Sequence, residues 1–352
     1  MAFSILFEGA ANANGNFGQP IPEPPEGYLH EFRFNAGDTY AKNSNGMTFD
    51  GGTRTITAAP GGETGGRYYY AGSNNPAVDQ TDEQWFDIPP ISEFYMLRRI
   101  WVPPNYNLRL AMRVEFRTPA QVASWAVGDV LQGTDGAYFG TIEYIETDGN
   151  NYVQIYLLWP DHIDYYGTWV GTITNVTNGQ TATSSTKERL DNGNKHFVIH
   201  CDGYSGNGKS PTLVFGWTSS VNGVVQLDCS VAVDGFGSGV QPNTHSSYVD
   251  FITADDLGKF INIMTYVKMA TNEATHDGVV KVWKKTDGEL SYAEKLVYTG
   301  INMGPRAAAV PPYSIFKRGY LMGYSNSGFK TNTTLIESEL LISATPIDGV
   351  VA

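Results

Sequence analysis

Cysteine is almost missing from this chain: Cys201 and Cys229 are the only two in 352 residues. Neither belongs to a CxxC pair or stands in a histidine-rich setting, which excludes a disulfide framework and a thiolate metal site. Each falls in an apolar alternating run (FVIHC and VVQLDCSVAV), which predicts buried free thiols and leaves a pairing between the two open. Charge is scarce as well. Asp, Glu, Lys and Arg make up 17% of the residues, too few for helices that must solvate long polar faces. The net charge of −13 excludes a nucleic-acid partner, because phosphate binding needs a cationic surface that releases counterions. It also disfavours anionic membranes. No apolar run approaches the roughly 20 residues that span a bilayer, so no membrane insertion is expected. The opening residues, MAFSILFEGAANANG, lack the basic stretch and the apolar length of a secretory signal, from which assembly in the cytoplasm is expected.

Motifs for cofactors are missing too. His30, His162, His196, His200, His245 and His276 have no ligand spacing, and there is no EF-hand loop, so no metal and no other cofactor is expected. Turn chemistry explains the Asp-rich turns, with calcium binding left open. GYSGNGKS at 203–210 lacks the spacing of a phosphate loop and reads as an ordinary loop.

What the chain has in quantity is Gly (39), Tyr (21) and Phe (17), the composition of many short strands joined by tight turns. Residues 260–324 carry the clearest pattern. Ile261, Ile263, Thr265, Val267 and Met269 alternate with Asn262, Met264, Tyr266 and Lys268, the period of a strand. Asp277-Gly278 and Asp287-Gly288 mark two bends, so three strands form an antiparallel meander with Trp283 on the middle one. Two further strands are predicted at 94–102 and 108–116, separated by Pro103-Pro104-Asn105. YLHEFRF at 28–34 reads as the first strand of the sandwich and LIESELLIS as the last. Thr253 followed by acidic residues predicts one short helix. Residues 1–27, with PIPEPPEG, read as an extended arm that cannot bury enough apolar surface to order alone.

The runs around residues 94–116 and 260–324 resemble concanavalin A-like jelly rolls, in particular polysaccharide-lyase-like domains. The fold class implied is all-β, an antiparallel jelly-roll sandwich. Residues 126–184 differ in character, with turns at Asp135-Gly136, Asp148-Gly149 and Asn178-Gly179 and an imperfect internal echo. They resemble the small β-barrel module that recurs in structural proteins of tailed bacteriophages. An insertion of this kind is tolerated because lengthening a surface connection adds only a logarithmic closure term. The expected division is an arm at 1–27, sandwich at 28–125, inserted barrel at 126–184 and sandwich again at 185–352.

Alginate-lyase-like jelly rolls carry R-x-E-x-R, Q-I-H and Y-F-K-x-G-x-Y in that order. Arg113-Val114-Glu115-Phe116-Arg117 matches the first, Val198-Ile199-His200 the second without its Gln, and residues 315–324 (IFKRGYLMGY) the third. The resemblance implies His200 or a tyrosine as base, Tyr320 or Tyr324 as acid, and Arg113 and Arg117 neutralising a substrate carboxylate. The competing reading makes the Arg/Glu alternation a set of cross-strand ion pairs and His200 a hydrogen-bonded strand residue. Glycan binding requires less: Trp217, Tyr320 and Tyr324 exposed on a concave sheet would stack on sugar rings, whereas Trp283 in its apolar run reads as core. The combination of resemblances gives as first expectation a virion structural protein on the particle surface of a tailed phage, as capsid decoration or tail-associated. Its partners would be major capsid or tail proteins, other copies of itself (a trimer suits either place) and cell-surface polysaccharide. The alternative is a lyase acting on an acidic glycan by β-elimination.

Overall fold

The computed structural model describes residues 28–33, 48–50, 56–109, 111–133, 138–147, 152–158, 171–189, 193–202, 212–219, 224–232, 248–272, 274–301, 303–304 and 315–347. Among them the strands assemble into three antiparallel sheets of eight, nine and seven. The expected arm at 1–27, the loop at 203–210, the turns at 135–136 and 148–149, and His162 and His245 lie outside the described residues.

The eight-stranded sheet runs Ala293–Ile301, Gly278–Thr286, Lys259–Lys268, Glu93–Val102, Thr333–Ser343, Thr64–Tyr70 and Ile56–Ala58, with Tyr28–Arg33 also on Thr333–Ser343. Its first three members are the predicted meander. Lys259–Lys268 pairs with Gly278–Thr286 from Ile261↔Thr286 to Lys268↔Val279 without a break. Gly288 takes φ +98° in the second bend, a left-handed backbone that favours glycine. The nine-stranded sheet runs Tyr248–Ile252, Val225–Ala232, Thr212–Ser219, Gly193–Cys201, Phe316–Leu321, Gln84–Ile91 and Thr48–Asp50, with two short strands at one margin. The two sheets share one core. Phe94, Met96, Ile263 and Leu340 come from the first sheet and Phe86, Phe197, Phe215 and Leu227 from the second, each at most 1% exposed. The chain is therefore an all-β, antiparallel jelly-roll sandwich.

The eight-stranded sheet is apolar on both faces. Tyr95, Leu97, Met264, Tyr266, Trp283 and Leu341 form a second buried layer on its outer side, joined by Ile347. Trp283 is core, as its apolar run predicts. Lys284, on the opposite face of the same strand, donates to Asp256 at 2.6 Å and to the Phe251 carbonyl at 2.7 Å. Asp256 is the third residue of the predicted short helix, which is a single 3₁₀ turn over Ala254–Asp256 closed by a capping box with Thr253. The turn ends at Leu257, whose backbone is extended at φ −65° and ψ 132°, followed by Gly258 at φ +77°.

The remaining strands form a third sheet in the order Gln180–Thr183, Thr172–Asn175, Val130–Gly133, Tyr138–Thr147, Val153–Leu158, Ala111–Phe116 and Thr186–Arg189. It has a core of its own, including Phe116, Trp125, Leu131, Ile142, Ile155 and Ile173. Ala111–Phe116 belongs here, paired with Val153–Leu158 and Thr186–Arg189, rather than with the sandwich. Ala111–Phe116 and Thr186–Arg189, expected in the sandwich, thus pair within this third sheet. Alternation showed that 108–116 holds a strand with one apolar face, but Met112, Val114 and Phe116 suit either core equally well. Polar contacts join this unit to the sandwich. Lys330 lies 2.9 Å from Glu143, Asn75 donates to Glu146 at 3.0 Å, and the buried Arg109 guanidinium stands 4.0 Å from Glu143.

Candidate functional site

Strand Gly193–Cys201 lies between Thr212–Ser219 and Phe316–Leu321 in the nine-stranded sheet. Its register shifts between Lys195 and Phe197, so His196 is an extra residue. A bulge of this kind lets two consecutive side chains face one way. His196 and Phe197 are both buried, and His196 stacks on Trp217 at 4.4 Å between ring centroids. Beyond the bulge, Phe197, Ile199 and Cys201 enter the shared core, so Val198 and His200 face outward. A slip of one residue would reverse every one of these assignments.

The bulge is held from across the core. Arg98, from the eight-stranded sheet, donates Nη1–H to the His196 carbonyl at 2.8 Å and lies 2.9 Å from His196 Nδ1. Its other edge grips Glu337 in two bonds of 2.6 and 2.9 Å, and both side chains are fully buried. Burial, with the Arg98 cation adding to it, lowers the His196 pKa well below its ordinary value, so the ring is neutral and Nδ1 accepts.

On the outer face the register brings six polar or aromatic side chains together. His200 is opposite Thr212 on one side and Arg318 on the other; Tyr320 is opposite both Val198 and Trp85; Arg318 is opposite Asp87. Gly319 faces inward between Arg318 and Tyr320, where a Cβ would stand 2.7 Å from the Phe86 ring. The Trp85 and His200 rings stack at 5.6 Å and 13°, Tyr320 tilts against Trp85 at 4.9 Å, and the Arg318 guanidinium lies over Trp85 at 5.0 Å. Arg318 Nε is 3.8 Å from Asp87. The Trp85 indole N–H donates to Glu83 at 2.9 Å, and Nδ1 of His200 is 2.8 Å from the Thr212 hydroxyl. His200 and Tyr320 form the floor, at 0% and 5% exposure, while Trp85, Arg318 and Asp87 are only partly covered. Tyr324, 43% exposed, continues the face beside Lys195, whose ammonium lies 5.9 Å from its ring. Burial, helped by the Arg318 cation, pushes the His200 pKa down to about 3, so this imidazole is uncharged at neutral pH.

The sequence-derived site residues are divided by this geometry. His200, Tyr320 and Tyr324 share the nine-stranded sheet, but Arg113 and Arg117 lie on or just beyond Ala111–Phe116 in the seven-stranded one. There they serve local contacts: Arg117 approaches Glu115 at 3.5 Å and the Tyr152 ring at 5.4 Å, and Arg113 is in register with Tyr156. The match to R-x-E-x-R was one of local alternation, which many strands satisfy, and did not encode the sheet. Trp217 is also corrected. It is 0% exposed, enclosed by His196 and by Tyr106 edge-on at 5.5 Å, and cannot meet a glycan. The parity of Thr212–Ser219 turns Phe215 and Trp217 inward together, which leaves Val214, Gly216 and Thr218 outward.

Trp85, Asp87, Thr212 and Arg318 were missed. Trp85 and Asp87 do alternate in WFDIPP, yet nothing in that run says which face is the core. Arg318 lies inside the third motif, at a position to which the resemblance assigns no role.

No protein-family model matches the sequence, and a search of curated proteins gives no match. Solved structures of similar architecture include the alginate lyase vAL-1 from Chlorella virus, at 12% identity and TM-score 0.39 over 88% of this chain and 99% of that one. The marine PL-14 alginate lyase from Aplysia kurodai is similar at 11% identity and TM-score 0.37, over 90% of each chain. Winged bean acidic lectin complexed with methyl-alpha-D-galactose follows at 8% identity and TM-score 0.32, over 89% of this chain and 98% of that one. At that distance the likeness is confined to the overall β architecture.

Proposed function

We propose that this chain is a glycan-binding protein whose site is the outer face of the nine-stranded sheet. The observation that carries the reading is the platform of Trp85 on His200 and Tyr320, with Arg318 and Asp87 partly exposed at its edge. A partly covered indole held by stacking offers a fixed apolar plate for a sugar ring, and the guanidinium and carboxylate beside it suit hydroxyl groups. The plate is preorganised, so little side-chain freedom is lost on binding. Calorimetry or tryptophan quenching against a glycan panel tests it: Trp85→Ala should abolish a binding signal that Trp283→Phe leaves in place. Equal binding by wild type and Trp85→Ala would refute the site.

One observation favours a second reading, β-elimination. His200, Tyr320 and Arg318 stand together, and a base, an acid and a carboxylate-neutralising cation are what that chemistry requires. Against it, His200 is fully buried and weakly basic. Appearance of unsaturated-product absorbance with a polyuronate, lost in His200→Ala, would favour this reading over simple binding.

The setting proposed for the protein is the surface of a tailed-phage particle, in contact with capsid or tail proteins and with other copies of itself. The support is the sequence pattern of residues 126–184. Mass spectrometry and cryo-EM of purified particles test it, and absence of the chain from every particle would remove the proposal.

A further inference from the structure

We infer that the ligand of this face is an uncharged glycan rather than a polyuronate, an inference that rests on the binding reading above. Carboxylates outnumber cations on this face. Arg318 has Asp87 opposite it at 3.8 Å and spends its flat side on the Trp85 ring. Lys195 lies over Tyr324 and is in register with Gly216, which is in turn opposite Asp228 on the next strand. Glu83 accepts from the Trp85 indole, and Asp250 accepts from Gln226 at the far side of the sheet. Among the described residues, then, four carboxylates (Glu83, Asp87, Asp228 and Asp250) stand against three cations, Arg318, Lys195 and Lys317, the last exposed at a register shift on the strand of Arg318.

A ligand carboxylate entering this face would compete with Asp87 for Arg318 and would meet a surface on which acids outnumber cations. The whole chain adds repulsion through its net charge of −13. Histidine supplies no further positive charge, since His200 is buried and neutral at neutral pH. Hydroxyl groups fare differently. A neutral sugar can accept from Arg318 and donate to Asp87 while the pair stays intact, and its ring can stack on Trp85 with no charge to desolvate. Gly216 adds a position without a side chain between Lys195 and Asp228, where a Cβ would meet atoms only at 3.8 Å and beyond. This leaves room for a ring substituent on the same face.

The test measures binding of the full chain to neutral hexasaccharides (gluco-, manno-, xylo- and galacto-configured) and to uronate hexasaccharides, at low and at physiological ionic strength. At least one neutral series should bind tenfold or more tightly than any uronate, and its affinity should change less than twofold with salt. Asp87→Asn should raise uronate affinity several-fold at low salt, an increase that salt removes; Asp228→Asn provides an independent variant for the Lys195 side. A wild-type protein that binds uronates as tightly as neutral sugars, with affinity falling as salt rises, overturns the inference and leaves the binding site standing. Folded protein that binds neither class overturns the binding reading itself.

Discussion

Replacing Arg98 by methionine tests how the two sheets are held together. Arg98 makes four contacts below 3 Å, two with Glu337 and two with His196, in a region with no exposed side-chain surface on either member of the ion pair. Methionine fills much of the same volume, so the loss is one of charge and hydrogen bonds rather than packing. Removing one partner of a buried pair leaves an uncompensated charge and costs about 3–5 kcal/mol. Arg98→Met should therefore lose about that much in urea unfolding near pH 7, a large share of the ~5–15 kcal/mol that holds a domain folded. The pH dependence has a definite sign. Burial raises the Glu337 pKa above its ordinary value of 4.5, with Arg98 pulling it back down. An acid with a raised folded pKa binds protons more tightly when folded, so stability falls as pH rises from the unfolded pKa through the folded one. Without Arg98 that folded pKa rises further, the window extends to higher pH, and the gap between wild type and variant should narrow on going from pH 8 to pH 5. Arg98→Met/Glu337→Leu should recover part of the loss, because no buried charge is then left unpaired. A single variant losing under about 1 kcal/mol, or a double variant no more stable than the single, would refute the reasoning.

Other predictions follow from single positions. Trp217→Ala should destabilise by about 3–5 kcal/mol, as a fully buried tryptophan does, whereas Trp85→Ala should cost nearer 1 kcal/mol and act on glycan binding; urea titration beside calorimetry separates the two. His200, its pKa pushed down to about 3, should show imidazole nitrogen shifts that stay flat from pH 8 to pH 5. Because that pKa lies below the unfolded value, its contribution to stability is full above about 6.5 and is lost as pH falls toward 3, so acid unfolding should begin earlier than in a His200→Gln variant that folds. Cys201 and Cys229 are buried free thiols whose pKa values burial raises, so an aromatic disulfide reagent should find no reactive thiol in native protein and two in urea. Reaction of either one before unfolding would contradict the packing described for their strands. Lys284→Met should cost about 3 kcal/mol through the stranded Asp256 carboxylate, read by the same urea titration.

Much of the fold was legible in the residues themselves. Alternation at 261–269, two Asp-Gly bends and a composition rich in Gly and Tyr specify strands and hairpins locally, and Lys259–Ile301 folds as that pattern requires. What alternation cannot supply is a direction. It divides a strand into two faces without saying which face meets the core, and it says nothing when both faces are apolar. Met264 and Tyr266 alternate with Ile263 and Val267, yet all four are buried because this sheet has a packed layer on each side. Trp217 turned inward and Trp85 outward for the same reason: face was decided by the sheet opposite, and no feature of TLVFGWTS or WFDIPP carries that information. Arg113 and His200 were joined by motif order, and strand pairing separated them.

The sequence by itself determined an all-β antiparallel chain with a meander and free thiols in strands. These are properties of period, turn and composition, which act over a few residues. Only the tertiary structure decided that Ala111–Phe116 joins the seven-stranded sheet, that a bulge at His196 held by Arg98 fixes the parity of Gly193–Cys201, and that His200, Tyr320, Trp85 and Arg318 meet on one face. Those outcomes depend on register, in which a shift of one residue reverses every side chain, and register is set by partner strands that local alternation does not name.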